Sequence, residues 1–324
     1  MHTGHDISGA EVDELAAAVL RGEPRAIGRA LTVVERSGEP AERLVSILFR
    51  SSPWPNVVGI TGPPGAGKST LVDGLAGAAR HRGHRVGIIA VDPTSPFTGG
   101  AILGDRVRML RHSTDPGVFI RSMASRRHPG GLAAATAEGV YVLAAAGFDL
   151  VLVETVGVGQ SEVAVAELAG TTVVVLVPEG GDAIQVLKAG LMEIADIFVV
   201  NKSDREGGDR LVAALEETVD FAAPGSRPAV RKTVATVGEG VDRVLDDILA
   251  HQLHLVATGA GRRRRERTLR LTIQHLLTRR ALRETWFPAE ASGLVDALIE
   301  QLLQRALSPY EAVERLLGNS GAPA

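Results

Sequence analysis

The 324-residue chain has no cysteine, and only 3% of its residues are aromatic. Without cysteine it can form no disulfide, thiolate metal site or cysteine nucleophile. Because aromatics are scarce while 45% of the residues are hydrophobic, the core is expected to consist mainly of aliphatic side chains. No apolar run reaches the roughly 18 residues that a membrane span needs. We therefore expect a globular protein with no membrane partner.

Charge is also low, with a formal net charge of −3. This balance gives no reason to expect nucleic acid as the main partner. The one local basic run, Arg262–Arg265, is interpreted as the solvated start of a helix. The first twenty residues include several acids and no apolar block behind a basic start, which is unlike a signal or transit peptide. A cytoplasmic location is expected.

Three regions follow from the sequence pattern. Residues 1–52 are predicted to form an N-terminal helical extension, which opens with a capping box at Ser8 and Glu11. Two prolines at positions 53 and 55 mark a linker. Residues 53–258 alternate short apolar runs with helical stretches, and residues 259–324 carry only helical patterns. The last region is predicted to be a helical dimerisation arm, with helices over Arg262–Arg283 and Ala289–Arg305 and a third opened by Ser308 and Glu311.

Seven predicted strands occupy the central region. Several are continuous in Val, Ile and Leu, which is typical of strands buried on both faces of a parallel sheet. Together with the intervening helices they predict a doubly wound, mostly parallel α/β fold. The predicted strands are Asn56–Thr61, Arg85–Val91, Gly117–Arg121, Asp149–Glu154, Thr171–Val177, Asp196–Asn201 and Ala229–Val234.

A phosphate-binding loop follows the first predicted strand and opens a helix. The segment matches G-x4-G-K-[ST], in which glycines let backbone N–H groups surround phosphate oxygens. Lys68 is expected to reach the β- and γ-phosphates, and Ser69 to hold magnesium. The nucleotide-binding residues predicted here are Gly62, Pro63, Pro64, Gly65, Ala66, Gly67, Lys68, Ser69 and Thr70.

Two acidic residues, Asp92 and Glu154, stand where predicted strands end. The carboxyl ends of parallel strands face the ligand crevice, so both carboxylates are expected near the phosphates. Magnesium prefers such oxygen ligands together with water. Glu154-Thr155-Val156-Gly157 is similar to the D-x-x-G switch of GTPases with Glu in place of Asp. Glu154 is expected either to act on the metal through water or to orient the nucleophile.

A base-reading motif, N-K-x-D, ends a later strand at Asn201, Lys202 and Asp204. The Asp204 carboxylate can accept two hydrogen bonds from guanine N1–H and the exocyclic amine, whereas adenine would leave it unpaired, at a cost of about 1–3 kcal/mol. Lys202 is expected to cover the base, and Asn201 to join neighbouring loops. Ala235, after the next strand, is expected to donate its backbone N–H to guanine O6. These motifs predict GTP and GDP as ligands.

Over roughly residues 10–318 the chain resembles the ArgK/MeaB family of G proteins, the chaperones of cobalamin-dependent methylmalonyl-CoA mutase. The resemblance implies a P-loop NTPase domain of the SIMIBI type. The segments that carry it are Gly62–Thr70, Val91–Pro96, Gly104–Met109, Glu154–Glu162 and Met192–Asp196.

The resemblance also implies roles for residues that no pattern singles out. It places a first switch around Asp92–Arg108, with Asp105 near the metal, and a second around Glu154–Gln160. A third mobile loop, with Asp182, Gln185 and Lys188, would relay the nucleotide state to the mutase. The family likeness further implies a homodimer joined through the C-terminal helices. The partner role is gating of adenosylcobalamin delivery and protection of the mutase, and this chain lacks the D-x-H-x-x-G element of a cobalamin site.

The hydrolytic machinery looks incomplete, because phosphoryl transfer needs a positioned water as well as charge neutralisation. Glu154 and Gln160 are candidates for positioning water, and Arg108 could reach the γ-phosphate. Slow GTP hydrolysis is therefore expected until a partner completes the set. Three alternatives remain, which are a small-metabolite kinase, a nickel-inserting metallochaperone GTPase and a scaffold with vestigial nucleotide binding.

Overall fold

The computed structural model describes residues 7–93, 110–112, 114–125, 131–155, 161–178, 191–220 and 227–319. The chain divides into two compact units, Met1–Leu269 and Arg270–Ala324. Among the described residues, no helix combines the length and the apolar character needed to cross a membrane. The predicted functional residues that lie outside the described ranges are Asp105, Arg108, Gln160, Asp182, Gln185 and Lys188.

One seven-stranded sheet organises the first unit. Its strands are β1 (Asn56–Thr61), β2 (Val86–Pro93), β3 (Val118–Ser125), β4 (Leu150–Thr155), β5 (Thr171–Leu176), β6 (Ile197–Asn201) and β7 (Ala229–Thr233). The spatial order is β3-β2-β4-β1-β5-β6-β7, and each pairing is parallel. The predicted doubly wound α/β class is confirmed, and the strand ends differ from the predicted ones by at most a few residues.

Parallel pairing gives this sheet two chemically distinct edges. At the carboxyl edge, β1, β4 and β6 end at Thr61, Thr155 and Asn201. The amino edge lies at the opposite ends of the same strands. Between the edges, β4, β5 and β6 are buried along their whole length, which explains their continuous apolar sequence. Side chains that follow the strands therefore converge at the carboxyl edge.

Helices cover both faces of the sheet. In chain order they are α1 (Gly9–Leu20), α2 (Pro24–Arg36), α3 (Glu39–Ser51), α4 (Lys68–His81), α5 (Gly131–Ala145), α6 (Ser161–Leu168), α7 (Leu191–Ile194), α8 (Gly208–Asp220) and α9 (Val241–Ala257). Helices α1 to α3 share one hydrophobic core with α5 and β4. Helices α4 and α9 pack on the other face, and α8 covers β6.

The predicted start of α1 is confirmed in detail. The backbone N–H of Glu11 donates to Ser8 Oγ at 3.4 Å, and the Ser8 N–H donates to Glu11 Oε2 at 2.8 Å. Each residue thus satisfies a backbone donor that the first helical turn leaves unpaired. Fully buried Leu31, Leu44 and Leu48, from α2 and α3, then join the core of the first unit.

Four helices follow α9, namely α10 (Ala260–Ala281), α11 (Phe287–Ala291), α12 (Leu294–Leu303) and α13 (Pro309–Asn319). A π-helical turn, Leu282–Trp286, follows α10, which contains the boundary between the units. The prediction of one helix over Ala289–Arg305 is wrong. Gly293, with φ of 75°, interrupts it because a left-handed residue ends the helical path. Ser308 and Glu311 form the predicted capping box of α13.

Candidate nucleotide-binding site

The loop that connects β1 to α4 contains three glycines in the left-handed region. Gly62, Gly65 and Gly67 have φ values of 140°, 75° and 86°. Two of them also allow close approach, since a Cβ on Gly62 would lie 2.1 Å from the carbonyl oxygen of Val175 and one on Gly67 would lie 2.4 Å from Asn201 Nδ2. Glycine is thus required by both backbone conformation and packing. This geometry suits a loop whose N–H groups surround an anion.

Lys68 is the first residue of α4, and its side chain folds back along the loop. It is only 5% exposed, and Nζ donates to the carbonyl oxygens of Gly62 at 2.8 Å and Pro63 at 3.0 Å. The ammonium group is therefore held beside the glycine loop, where the helix N-terminus adds partial positive charge. Phosphate oxygens are the ligands that this combination favours.

Ser69 and Glu154 meet at the carboxyl edge. Ser69 Oγ donates to Glu154 Oε1 at 2.6 Å, and both side chains are buried. The β1–β4 register explains the encounter, because Glu154 lies opposite Ile60, just before the glycine loop. A hydroxyl and a carboxylate are hard oxygen donors of the kind that magnesium binds. The residues present fit a divalent cation at this position.

The other predicted metal ligands are located less fully. Asp92 lies in β2, one residue beyond Val91, which pairs with Thr155 of β4. Its backbone is therefore at the carboxyl edge, beside the strand that ends in Glu154 and Thr155. Asp105 lies outside the described residues. A metal role for either residue stays a prediction.

Asn201 joins three segments of the site. Its Nδ2 donates to the Ala66 carbonyl oxygen in the glycine loop at 2.8 Å. Its Oδ1 accepts hydrogen bonds from Thr233 Oγ1 at 3.0 Å and from the Ala235 N–H at 3.1 Å. The predicted joining role of Asn201 thus has a definite geometry. Because the Ala235 N–H is engaged here, a contact with guanine O6 requires that this donor be shared or released.

Lys202 and Asp204 follow Asn201 on the same loop. Lys202 has φ of 55°, an uncommon conformation for a non-glycine residue, and its Nζ donates to the Gly65 carbonyl oxygen at 2.8 Å. The Lys202 stem therefore bridges the base-reading loop and the glycine loop. Asp204 is exposed, so its carboxylate is accessible to a ligand. The structure brings the two predicted motifs together at one edge.

Some polar contacts of the site were not predicted from the sequence. Thr155 Oγ1 donates to Thr61 Oγ1 at 3.1 Å, which links the ends of β4 and β1. Asp73, on α4, faces His112 and Arg111. None of these residues stands out by motif, although Thr155 belongs to the segment interpreted as a switch. These contacts are visible only in the folded structure, because the partners are far apart in sequence.

The parallel sheet, the glycine loop with its lysine and the Asn201 junction define a P-loop nucleotide-binding protein of the G-domain class. Comparison with known proteins then identifies the family. Residues 27–289 match the family model for the methylmalonyl-CoA mutase-associated GTPase MeaB. The chain therefore belongs to this family and is a GTPase.

Individual relatives agree with the family match. A relative from Pyrococcus abyssi is 45% identical over 314 residues, spanning 94% of this chain and 96% of the relative. The mouse protein named methylmalonic aciduria type A homolog, mitochondrial, is 31% identical over 329 residues, spanning 94% of this chain and 79% of that protein. A crystal structure of an LAO/AO transport system kinase shares the fold, with a TM-score of 0.70 at 24% identity, and covers 98% of this chain and 100% of its own.

Proposed function

We propose that this GTPase is a magnesium-dependent switch that assists an adenosylcobalamin-dependent methylmalonyl-CoA mutase or a close acyl-CoA mutase. Nucleotide state would gate cofactor loading and protect the mutase from inactivation. The observation that carries the proposal is the contact between the glycine loop and the Asn201–Asp204 loop, in a chain whose family is described by its association with that mutase. The cytoplasm is the proposed setting.

Magnesium would be held by Ser69 and Glu154, with Asp92 and Asp105 as further carboxylates. The 2.6 Å contact between Ser69 Oγ and Glu154 Oε1 supports this site, because two oxygens this close together could both contact one small cation. When bound, the ion would neutralise charge on the β- and γ-phosphates. Lys68, whose Nζ is held by carbonyl oxygens of the glycine loop, would add positive charge near the phosphates. The chain's own part is to bind the triphosphate and to fix its orientation.

Slow turnover is part of the proposal. Hydrolysis requires a residue that positions the attacking water. Glu154, one candidate for positioning the water, accepts a hydrogen bond from the Ser69 hydroxyl. Gln160, the other candidate, lies outside the described residues. We propose that the mutase completes this arrangement, with the second switch at Gln160 and the relay loop at Asp182, Gln185 and Lys188 carrying the signal.

The second unit supports a homodimer. Along its helices many large apolar side chains are exposed, and such surfaces usually mark an interaction site. These residues are Ile273, Leu276, Leu277, Trp286, Phe287, Ile299, Leu303, Tyr310, Val313 and Leu317. A second copy of this unit, with the same apolar surface, is the proposed partner. Sedimentation equilibrium should give twice the chain mass of 34.0 kDa, and a monomer at micromolar concentration would refute the dimer.

Co-purification with candidate mutases tests the mutase partnership. The chain is incubated with methylmalonyl-CoA mutase and with a related acyl-CoA mutase, each in GDP and in a non-hydrolysable GTP analogue. We expect a complex whose yield changes at least several-fold between the two nucleotides. The matched control is Lys68→Ala, which should remove the nucleotide dependence. No complex with any tested mutase in either nucleotide would contradict the proposed partner while leaving the GTPase assignment intact.

A further inference from the structure

The chain that leads into β3 lies along the helix that carries Lys68 and Ser69. We call residues 110–112 and 114–117 the return segment, because they lead back into the sheet after the predicted first switch. They include a short 3-10 turn, Leu110–His112, and end just before Val118. Two polar contacts hold this segment against α4, one near the glycine loop and one further away.

The proximal contact centres on Asp73 of α4. His112 Nε2 lies 3.1 Å from Asp73 Oδ1 and 3.1 Å from the Asp73 carbonyl oxygen, and Arg111 pairs with the other carboxylate oxygen. The side chains of Asp73 and His112 are each only 10% exposed. A Cβ on Gly77 would lie 3.6 Å from His112 Cε1, so the imidazole packs directly on the helix surface. The hydrogen bond of His112 is to the Asp73 carbonyl oxygen, and the Asp73 carboxylate itself makes the charge-assisted contact with Arg111.

The distal contact joins Arg80 to Asp115. Arg80 Nε donates to Asp115 Oδ2 at 2.8 Å, and Nη2 donates to Oδ1 at 3.0 Å. Asp115 Oδ1 also accepts the Gly117 N–H at 2.7 Å. This bidentate pair fastens the end of the return segment where β3 begins. It resembles the proximal contact in chemistry but lies further along α4.

The position along α4 distinguishes the two contacts. Asp73 follows Ser69 by four residues, so it is about 6 Å further along the helix axis, whereas Arg80 is about 16 Å along. Residues four positions apart lie on the same face of a helix, one turn apart, so Asp73 is a neighbour of Ser69 whereas Arg80 is about three turns away. The proximal contact therefore joins the return segment to the turn that carries Lys68 and Ser69.

We propose that Asp73 is a positioning residue for GTP hydrolysis, which holds the return segment, the described part of the chain after the predicted first switch, in register with Lys68 and Ser69. The proposal rests on the first-switch assignment within the proposed function and not on the mutase partnership. Asp73 itself touches neither nucleotide nor metal. It acts through Arg111, which pairs with its carboxylate, and through His112, which lies beside that carboxylate and is hydrogen-bonded to the Asp73 carbonyl oxygen.

Substitution of Asp73 should slow GTP hydrolysis but leave the affinity for the product GDP nearly unchanged. GDP is held by the glycine loop and the base-reading loop, neither of which uses the return segment. Asp73→Ala should lower kcat for GTP hydrolysis about tenfold and change the Kd for GDP by less than about threefold. Asp73→Asn keeps the size of the side chain beside His112 but loses the charge that faces Arg111. It should give an intermediate kcat.

Single-turnover hydrolysis, equilibrium binding of GDP and thermal unfolding are measured on the full chain. The matched control is Asp115→Asn, which weakens the distal contact between the same two segments. It should lower Tm by a similar amount while leaving kcat within about twofold of wild type. Hydrogen exchange of the amides at 110–118 should rise in both variants. A kcat loss specific to Asp73 supports a positioning role.

Two results would overturn the proposal. One is an unchanged kcat in Asp73→Ala despite a lower Tm, and the other is an equal kcat loss in Asp73→Ala and Asp115→Asn. If Asp73→Ala does not fold, Asp73→Asn and the more exposed Arg111→Ala decide by the same criteria. Failure of the mutase experiment leaves these rate measurements unaffected, so the two proposals fail separately.

Discussion

The two edges of the sheet use polar residues in different ways. At the carboxyl edge, Lys68 and Asn201 bond to carbonyl groups of a glycine loop whose φ values are positive. At the amino edge, Asp196 receives a bidentate pair from Arg264, with Nη1–Oδ2 and Nη2–Oδ1 distances of 2.7 and 2.6 Å. At the carboxyl edge, cationic and amide groups thus lie beside an uncommon backbone conformation. At the amino edge, a cationic side chain pairs directly with a carboxylate.

The amino edge is a network around Asp196. Its Oδ2 also accepts the Thr172 N–H at 2.8 Å, and its Oδ1 lies 3.4 Å from His251 Nε2. Burial lowers the pKa of His251 although the nearby Asp196 raises it, so the ring carries less charge than a free histidine at a given pH. The hydrogen bond from Arg264 to Asp196 raises the pKa of Arg264. The Asp196 carboxylate is satisfied by these contacts, which we expect to serve stability.

The contrast teaches that the two edges should respond differently to substitution. Left-handed glycines and close approach are tolerated where a ligand must contact backbone groups, and such features commonly cluster at functional sites. Matched ion pairs are found where the fold must simply be held together. Substitutions at the carboxyl edge should therefore mainly lower nucleotide affinity, and substitutions at the amino edge should mainly lower the free energy of unfolding.

The largest effect is expected from Gly67→Ala at the carboxyl edge. The new Cβ would lie 2.4 Å from Asn201 Nδ2 and would occupy a residue with φ of 86°. Displacing Asn201 breaks its bond to the loop, so GTP affinity should fall by more than about 100-fold, or about 2.7 kcal/mol. Isothermal titration with GDP and a GTP analogue measures this change.

Gly83→Ala is the matched control for this prediction. Gly83 also has φ of 86°, but a Cβ there meets nothing within 4 Å. Gly83→Ala should lower the free energy of unfolding by about 1–2 kcal/mol, because alanine is strained in this conformation. Its nucleotide affinity should be unchanged. Equal affinities for Gly67→Ala and Gly83→Ala would show that close approach at the glycine loop is unimportant.

Asp204→Ala tests the reading of the base. The carboxylate is the expected partner of two guanine donors, so its removal should reduce the preference for GTP over ATP about 10- to 100-fold. Competition binding with both nucleotides measures the ratio. Glu206→Ala, an exposed acid on the same loop, should leave the ratio unchanged. An unaltered preference in Asp204→Ala, or a chain that prefers ATP from the start, would favour the kinase alternative.

Arg264→Ala tests the amino edge. It leaves the buried Asp196 carboxylate without its bidentate partner, which should lower the free energy of unfolding by about 1.5 kcal/mol, a figure reduced because Arg264 is 38% exposed. Urea denaturation measures the loss. Arg265→Ala, which removes only a cation–π contact with Trp54, is the matched control. If Arg264→Ala reduced the binding free energy of GTP by more than the free energy of unfolding, the expected difference between the two edges would be contradicted.

The smallest effect is expected for the loss of stability at low pH, which involves Asp115. Arg80 and the Gly117 N–H lower the pKa of Asp115 below its usual 3.8. Because the folded pKa is the lower one, this contribution to stability is full above the unfolded pKa and is lost as pH falls through the folded pKa. Asp115→Asn should therefore lose less stability to acid below about pH 4 than wild type. Identical acid curves would show that this carboxylate contributes no pH dependence.

Prediction from sequence succeeded where the signal was local. Continuous apolar runs located the strands, capping residues located the starts of α1 and α13, and the glycine loop and Asn201 were found by motif. It failed at Ala289–Arg305, since an apolar pattern can continue across Gly293 although the helix does not. The interpretation of Arg262–Arg265 as solvated is wrong for Arg264, which pairs with Asp196. The contact of Asp73 with Arg111 was missed because Asp73 belongs to no motif.

By itself the sequence determined most element types and the glycine loop and predicted the base-reading motif, because each depends on neighbours within a few positions. Only the tertiary structure decided that Ser69 meets Glu154, that Asn201 holds Ala66 and that Arg264 pairs with Asp196. These partners are 85, 135 and 68 positions apart. Parallel register and helix packing bring them together, and both are set by burial of the whole sheet rather than by any local pattern.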